Sequence, residues 1–409
     1  MARVLGPYEL VPHGRRHNAV EPLVFHCNFY NYWLQKTILL DESLGMEKVI
    51  QDAGTSAAYP LFKRAASLLS LETPEERKKL CQDTFSELGF GLMDLSKVTA
   101  QGGIVTCPIS HYGRCLRQAS GANFARPQSY FDAGYAAAAV AFVFDLPVEH
   151  FEARIEACQS MGAPEGKISL HPRDDGTIFP LFENKAHLTE EPPPPYADCN
   201  INEAEILEAL SGLDFSGNEE GLAPRFGVML TNHFASFYNR ISFEFVRIMA
   251  DTGLVEAAET LLLDAGYRCA FHTFGGIMSS AEWDAVVKPQ CQDTEDWVHG
   301  MVAVVNALGW GVWRVAEISA NRAVLRLYDD YESCGWLDMY GQAERDVNYL
   351  AAAGVAGMMN LIHVGRIHEK PDLNLAFYEK CFEAEGLFAP KQTKCMARGD
   401  AFTEIVVER

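Results

Sequence analysis

The sequence predicts an α+β fold built as two tandem domains, and two observations carry that reading. The first is internal repetition. Leu88-Gly89-Phe90-Gly91-Leu92 recurs as Leu308-Gly309-Trp310-Gly311-Val312. A Tyr/Cys pair follows each, Tyr112/Cys115 and Tyr331/Cys334, and then an Ala-rich helical pattern, Tyr130 to Phe144 and Tyr349 to Val364. Upstream, Phe29-Tyr30-Asn31 answers Phe237-Tyr238-Asn239. Order is kept and the offset is nearly constant, which marks a duplicated domain rather than a solenoid of short units. The second observation is that helical and strand periodicities follow one another in the same order in both copies. At 409 residues, 48% hydrophobic and 22% charged, the chain has the size and composition of two ordinary soluble domains.

The first unit is placed at 22–171. Val24 to Leu39 is apolar and aromatic at helical spacing, and Met46 to Leu69 is a second helix. Thr73-Pro74-Glu75-Glu76 starts a third, running to about Leu88: Thr73 is the N-cap, Pro74 takes the first helical position and the acids occupy the first turn. Strands are expected at Gly91 to Leu95 and Ile104 to Pro108, turned at Gly102-Gly103. The Ala-rich helix comes next, then strands at Phe151 to Cys158 and Lys167 to Leu170.

The second unit, 227–409, repeats the order. Helices are expected at Val228 to Thr252, Val255 to Ala265 and Thr294 to Leu308. A hairpin follows, Val312 to Ile318 and Ala323 to Tyr328, turned at Ala320-Asn321. The helix Ala343 to Val364 is apolar on nearly every face and is expected to be buried; strands close the unit at Leu375 to Glu383 and Phe402 to Val407. Between the units, 172–226 is an acidic, Pro-rich linker with Glu190-Glu191-Pro192-Pro193-Pro194-Pro195 as a stiff spacer. From His171 to Arg225 there are twelve acids against three bases, the texture of a solvated linker, with one short helix at Glu203 to Leu210 capped by Asn202.

A net charge of −21 repels phosphate backbones and anionic headgroups, so nucleic acid and membrane are excluded as expected partners. The longest apolar run, Ala136 to Phe144, is too short to span a bilayer, and Met1 to Asn18 lacks the apolar core of a signal peptide. Eleven scattered cysteines with no Cys-x-x-Cys point to reduced thiols and a cytoplasmic protein.

Three stretches carry a family resemblance: Leu308-Gly309-Trp310-Gly311-Val312-Trp313 opening a strand, Val324 to Glu332 ending Tyr331-Glu332-Ser333, and Cys395-Met396-Ala397-Arg398-Gly399-Asp400 before a closing strand. On these the second unit resembles the 4-vinyl-reductase domain family, also described as a small-ligand or hydrocarbon-binding domain. The first unit resembles it more loosely, through the repeat. The resemblance implies helices packed on a twisted antiparallel sheet of about four strands, with an apolar cavity between them. Relatives sense phenolic compounds in bacterial activators or are linked to bacteriochlorophyll synthesis. The phenol-sensing relatives bind zinc through Glu-x-x-Cys and a second Cys eight residues on. The matching positions here are Gln392, Cys395 and Thr403, and Ile155, Cys158 and Gly166 in the first unit. One cysteine per unit does not make a zinc site.

The candidate ligand-binding residues are His233, Phe237, Tyr238, His272, Trp310, Tyr331, His26 and Tyr30, read as an aromatic lining with a few orienting polar groups. His233 and Phe237 are four apart on one helical face. The alternative is a packing core with each imidazole bonded to a backbone carbonyl. Cys107, His111 and Cys115 form Cys-x3-His-x3-Cys, a weak metal candidate: the second unit has Arg326, Asp330 and Cys334 there, and buried thiols are the alternative. The glycine motifs are not phosphate loops, since no third Gly opens a helix and no Lys-Ser/Thr follows.

The expected function is a cytosolic binding protein for an apolar or aromatic small molecule. It would act as carrier or accessory in a biosynthetic or degradative pathway, with no cofactor favoured, a partner protein possible and the two units packed as an intramolecular pseudo-dimer. The alternatives are a tetrapyrrole-type reductase, which needs an electron donor from a partner, and a haem or metal protein using His26, His233, His272 or His363.

Overall fold

The computed structural model describes residues 9–10, 16–18, 21–174, 176, 178–181, 193–196 and 199–409. The first half holds strands β1 (Glu9–Leu10), β2 (Arg16–Asn18), β3 (Glu21–Cys27), β4 (Gly91–Asp94), β5 (Val98–Thr99), β6 (Gly102–Ser110), β7 (Phe151–Ala157) and β8 (Gly166–Pro172). Its helices are α1 (Asn28–Ile38), α2 (Met46–Leu69), α3 (Pro74–Glu87), α4 (Leu116–Ser120) and α5 (Tyr130–Val143). The capping box at Thr73 forms as expected: its hydroxyl accepts from Glu76 N at 3.3 Å, and the Glu76 carboxylate accepts from Thr73 N at 2.9 Å. All of α5 is buried, lying along α2 and over the sheet.

The linker and second half supply α6 (Glu203–Ser211), β9 (Ala223–Arg225), β10 (Val228–Phe234), α7 (Ala235–Asp251), α8 (Val255–Cys269), α9 (Gly275–Ser279), α10 (Ala281–Val286) and α11 (Thr294–Ala307). They are followed by β11 (Val312–Ser319), β12 (Arg322–Tyr328), α12 (Tyr331–Tyr340), α13 (Tyr349–Met359), α14 (Leu375–Phe382), β13 (Ala389–Lys394) and β14 (Thr403–Glu408). The fold is α+β and every strand pair is antiparallel. One sheet runs β4-β6-β8-β7, with β5 beside β6, and another runs β11-β12-β14-β13. The third sheet, β1-β2-β3-β10-β9, joins the halves.

That joining sheet corrects two expectations. The helices expected over Val24 to Leu39 and Val228 to Thr252 each begin as a strand, β3 and β10, and turn helical only at Asn28 and Ala235. Both strands are seven residues long and largely buried, mixing apolar residues with Glu21 and His26 or with Thr231, Asn232 and His233, and only a partner across the halves decides for strand. The register places Thr231 opposite His26, Asn232 opposite Phe25 and His233 opposite Val24. Two further backbone bonds lock it reciprocally: Phe25 N donates to Leu308 O at 3.0 Å and Asn232 N to Leu88 O at 2.9 Å. The carbonyl of each Leu-Gly-aromatic-Gly motif therefore receives an amide from the other half's strand.

Other expectations shift locally. The Gly102-Gly103 turn falls instead at Ala100–Gln101, with the two glycines opening β6. The helix expected from Ala343 starts at Tyr349, and its end widens into a π turn, Asn360–Val364. Leu375 to Phe382 is a helix rather than a strand, because Asn374 caps it by accepting from Phe377 N at 3.0 Å. α12 and β13 were not anticipated; Asp330 caps α12 through Ser333 N at 2.7 Å. The linker is less solvated than its composition suggests. Asn202 caps α6 as expected, but Ile206, Leu210 and Phe215 are buried, α6 packs on α11, and Arg314 donates to Pro194 O at 2.8 Å. Glu190 to Pro192 of the expected polyproline spacer lie outside the described residues.

Gly89 shows why the motif needs glycine. Its φ is +84°, and a Cβ there would lie 2.8 Å from Leu230 O on β10. Gly89→Ala is expected to cost about 3 kcal/mol in urea unfolding, from backbone strain plus that clash. Gly45→Ala, at φ +63° with nothing within 4 Å, should cost only about 1 kcal/mol. Equal losses would show that the halves do not press together at Gly89.

Candidate functional site

On β3 and β10 the side chains of Val24, His26, Thr231 and His233 share one face, by strand alternation and the antiparallel register. The first turns of α1 and α7 add Tyr30, Phe237 and Tyr238. His26 lies 4.5 Å from Tyr30, 4.5 Å from Tyr238 and 5.0 Å from Trp310, ring centre to ring centre. His233 lies 4.5 Å from Phe237, 4.8 Å from Tyr238 and 4.4 Å from Phe131. Each half's Tyr of the Tyr/Cys pair crosses to the other half's histidine: Tyr112 OH is 3.0 Å from His233 Nε2 and Tyr331 OH 3.4 Å from His26 Nε2.

A second chain of bonds fixes a tautomer. Tyr238 OH donates to Asn31 Oδ1 at 2.6 Å, so the Asn31 amide nitrogen is the group facing His111 Nε2 at 3.0 Å. That amide can only donate, and His111 therefore carries its proton on Nδ1. The Nδ1 atoms of His26, His111 and His233 have no hydrogen-bond partner. Burial holds His26 and His233 well below the usual imidazole range and lowers His111 to about 3. Beside them, burial pushes the Asp132 carboxyl up to about 7 against the opposing hydrogen bond from Ser110.

Seven of the eight residues read from sequence as ligand-lining thus meet in one buried cluster between the halves. His272 does not join it: the ring stacks on Phe29 at 3.9 Å, and burial with Arg268 nearby lowers it to about 4. None of the eight lines the clefts described here. Cys107, His111 and Cys115 do not share a helical face. β6 continues past Cys107 to Ser110, His111 points its Nε2 at Asn31, and Cys115 closes a π turn. Among the described residues no group of three or more His, Cys, Asp or Glu is arranged to hold a metal ion.

An open cleft of about 410 Å³ lies in the second half, between α8, the segment before α13, the first turn of α13, and β13. Leu263, Ala352 and Pro390 form its apolar wall, and Asn348, Tyr349 and Gln392 bring polar atoms to it. Arg345 grips Glu259 with two bonds of 2.9 Å, and Arg398 holds Asp346 at 3.1 Å. Behind the cleft the buried Glu332 accepts from Leu350 N at 3.0 Å and Ala351 N at 2.9 Å, anchoring the start of α13; burial raises this carboxyl to about 8. A second cleft of about 440 Å³ spans both halves at the Pro224–Met229 turn, between Phe29 and Glu282. Its buried polar side chain, Asn28, is already engaged with Met229 N at 3.1 Å.

The positions where the resemblance would put zinc hold hydrogen bonds instead. Gln392 Nε2 donates to Asn348 Oδ1 at 2.8 Å, Cys395 Sγ donates to the same oxygen at 3.4 Å, and Thr403 Oγ1 donates to Asp330 Oδ2 at 2.9 Å. In the first half Cys158 Sγ accepts from Ser129 Oγ at 3.1 Å and sits 3.0 Å from Ser160 Oγ, while Ile155 and Gly166 offer no ligand. One thiol among satisfied amides and hydroxyls does not fit zinc. The sequence flagged Gln392 and Cys395 but missed Asn348 and the cleft, because residues 343–348 read as helix.

No protein-family model and no curated protein matches the chain. Among solved structures it is similar to the phenol-responsive sensory domain of the transcription activator PoxR, determined with phenol, at 12% identity and a TM-score of 0.38. The match covers 50% of this chain and 90% of that one. A likeness at that level leaves ligand and function to be argued from this chain's own residues.

The buried ionisable groups set opposite pH slopes. His111, lowered to about 3, favours the folded state above pH 6.5 and loses that contribution as pH falls toward 3. Asp132, raised to about 7, does the reverse: its contribution is present below pH 3.8 and is lost as pH rises toward 7. Asp132→Asn is therefore expected to gain stability relative to the parent between pH 4.5 and 7.5, by roughly 1.4 kcal/mol for each pH unit crossed below 7. Urea melts at the two pH values measure it; parallel pH profiles would contradict a buried neutral carboxyl.

Proposed function

We propose that this protein binds a small molecule with an apolar or aromatic body in the cleft beside Tyr349, and that the two halves form a pseudo-dimeric frame around the buried His/Tyr cluster. The observation that carries the reading is the cleft. It has the size of a small-molecule pocket, an apolar wall, and a few converging polar groups on regular elements. Support for duplication from one small-ligand-binding domain, of the 4-vinyl-reductase type, comes from the matching strand orders β4-β6-β8-β7 and β11-β12-β14-β13. The role proposed is carrier or accessory in a pathway. Among the described residues no helix is long and apolar enough to cross a membrane. Eleven free thiols fit a reducing compartment such as the cytoplasm.

The test is a titration of the full chain with simple aromatics (phenol, indole, tyrosol), followed by backbone amide shifts. Shifts are expected around Tyr349, Ala352 and Gln392. Leu263→Trp, which puts a larger ring at the cleft wall, should weaken binding about tenfold or more, whereas Tyr331→Phe in the buried cluster should lower stability without that loss. Binding that survives Leu263→Trp and perturbs the His26/His233 cluster would move the site to the core and overturn the cleft reading.

A further inference from the structure

We infer that the cleft beside Tyr349 selects a protonated amine carried on a ring or other apolar body. The inference rests on the proposed use of this cleft for a small molecule and adds the charge of its ligand.

The ionised side chains around the cleft do not balance. Arg345 is engaged by both oxygens of Glu259, through Nε and Nη2, and Arg398 by Asp346. These pairs cancel locally and leave no net positive charge in the cleft to draw an anion. Glu344, also lining the cleft, is exposed and pairs with no cation among the described residues. It is the unmatched charge, in a chain whose net charge is already −21.

Two uncharged groups add acceptors, the Tyr349 hydroxyl keeping a donor as well. The Gln392 amide nitrogen is turned inward, donating to Asn348 Oδ1 at 2.8 Å and Lys394 O at 3.2 Å. Its Oε1 is left as an acceptor without a protein partner. Tyr349 is an independent pointer to a ligand. Only 8% of the residue is exposed, yet its hydroxyl bonds no protein group and is not sealed from solvent. The residue is one of those that line the cleft. A carboxylate, an amide oxygen and a phenol oxygen are three acceptors, and an ammonium offers three donors and no acceptor. The face of the Tyr349 ring adds a surface that favours a cation, and Leu263, Ala352 and Pro390 receive the apolar body.

Three probes with one phenol ring and different tails separate the possibilities: tyramine (ammonium), tyrosol (hydroxyl) and 4-hydroxyphenylacetate (carboxylate). Calorimetry or amide-shift titration of the full chain is expected to rank them in that order, tyramine binding about fivefold or more tighter than tyrosol at low salt. The gap should narrow as salt rises. Glu344→Gln, a change at an exposed position, should bring tyramine down to the affinity of tyrosol. Tyrosol or 4-hydroxyphenylacetate binding at Tyr349 as tightly as tyramine would overturn the amine inference while leaving the cleft reading in place. Tyramine binding that perturbs residues away from Tyr349 would also overturn it. If none of the three shifts the Tyr349 region at millimolar concentration, both readings fall together.

Discussion

The structure depends on one antiparallel pairing, β3 against β10, in which each half completes the other. Two backbone bonds bracket it, Phe25 N to Leu308 O and Asn232 N to Leu88 O, so the helix-to-strand corner of one half caps the first strand of the other. The corner carbonyls sit behind glycines because the strands approach too closely for a Cβ at Gly89. Once the ribbon is set, the helices follow: α1 packs against α8 and α2 against α7, each reaching across the same axis. The His/Tyr cluster fills the face of the ribbon, and its polar atoms are tied across the halves by Tyr112 to His233 and Tyr331 to His26. Buried imidazoles kept neutral and bonded give this interior specificity of register, where a purely apolar one would tolerate slippage.

The halves share a frame and differ at the places that meet solvent. In the second half Glu332 anchors α13 from below, and Asn348 collects Gln392 and Cys395, which shapes the cleft floor. In the first half the residue after Tyr112 is Gly113, and its amide instead donates to the Ser110 hydroxyl at 2.8 Å. There Ser110 donates to Asp132, and Ser129, Cys158 and Ser160 form a separate bonded group.

Much of the architecture was legible in the sequence because long amphipathic or fully apolar segments with caps have one good solution: α2, α3, α5, α6 and the β11–β12 hairpin fall within a residue or two of expectation. The failures have a common cause. Leu23 to Cys27 and Val228 to Phe234 are short, largely buried runs whose state is decided by each other across two hundred residues, and no local pattern records that. Leu375 to Phe382 is likewise short, and the deciding Asn374 cap was overlooked. Of the residues read as a ligand lining, His26, Tyr30, His233, Phe237, Tyr238, Trp310 and Tyr331 assemble in one cluster. Their rings pack against one another over the paired ribbon. The cleft is not legible in the sequence because residues 343–348 read as part of the apolar helix, whereas they form an irregular segment that brings Asn348 to the cleft.

The position of β3 also sets a schedule for synthesis. A chain emerging from the ribosome presents Leu23 to Cys27 early, yet the strand that covers them, Val228 to Phe234, comes some two hundred residues later. At ordinary translation speeds that is a wait of roughly ten to forty seconds. For that interval a buried-type strand with unpaired amides stands at the edge of an otherwise foldable half, the kind of surface that pairs with the wrong chain. A chain whose halves are joined by such a pairing folds under a constraint of time, with its first half waiting for a strand made much later.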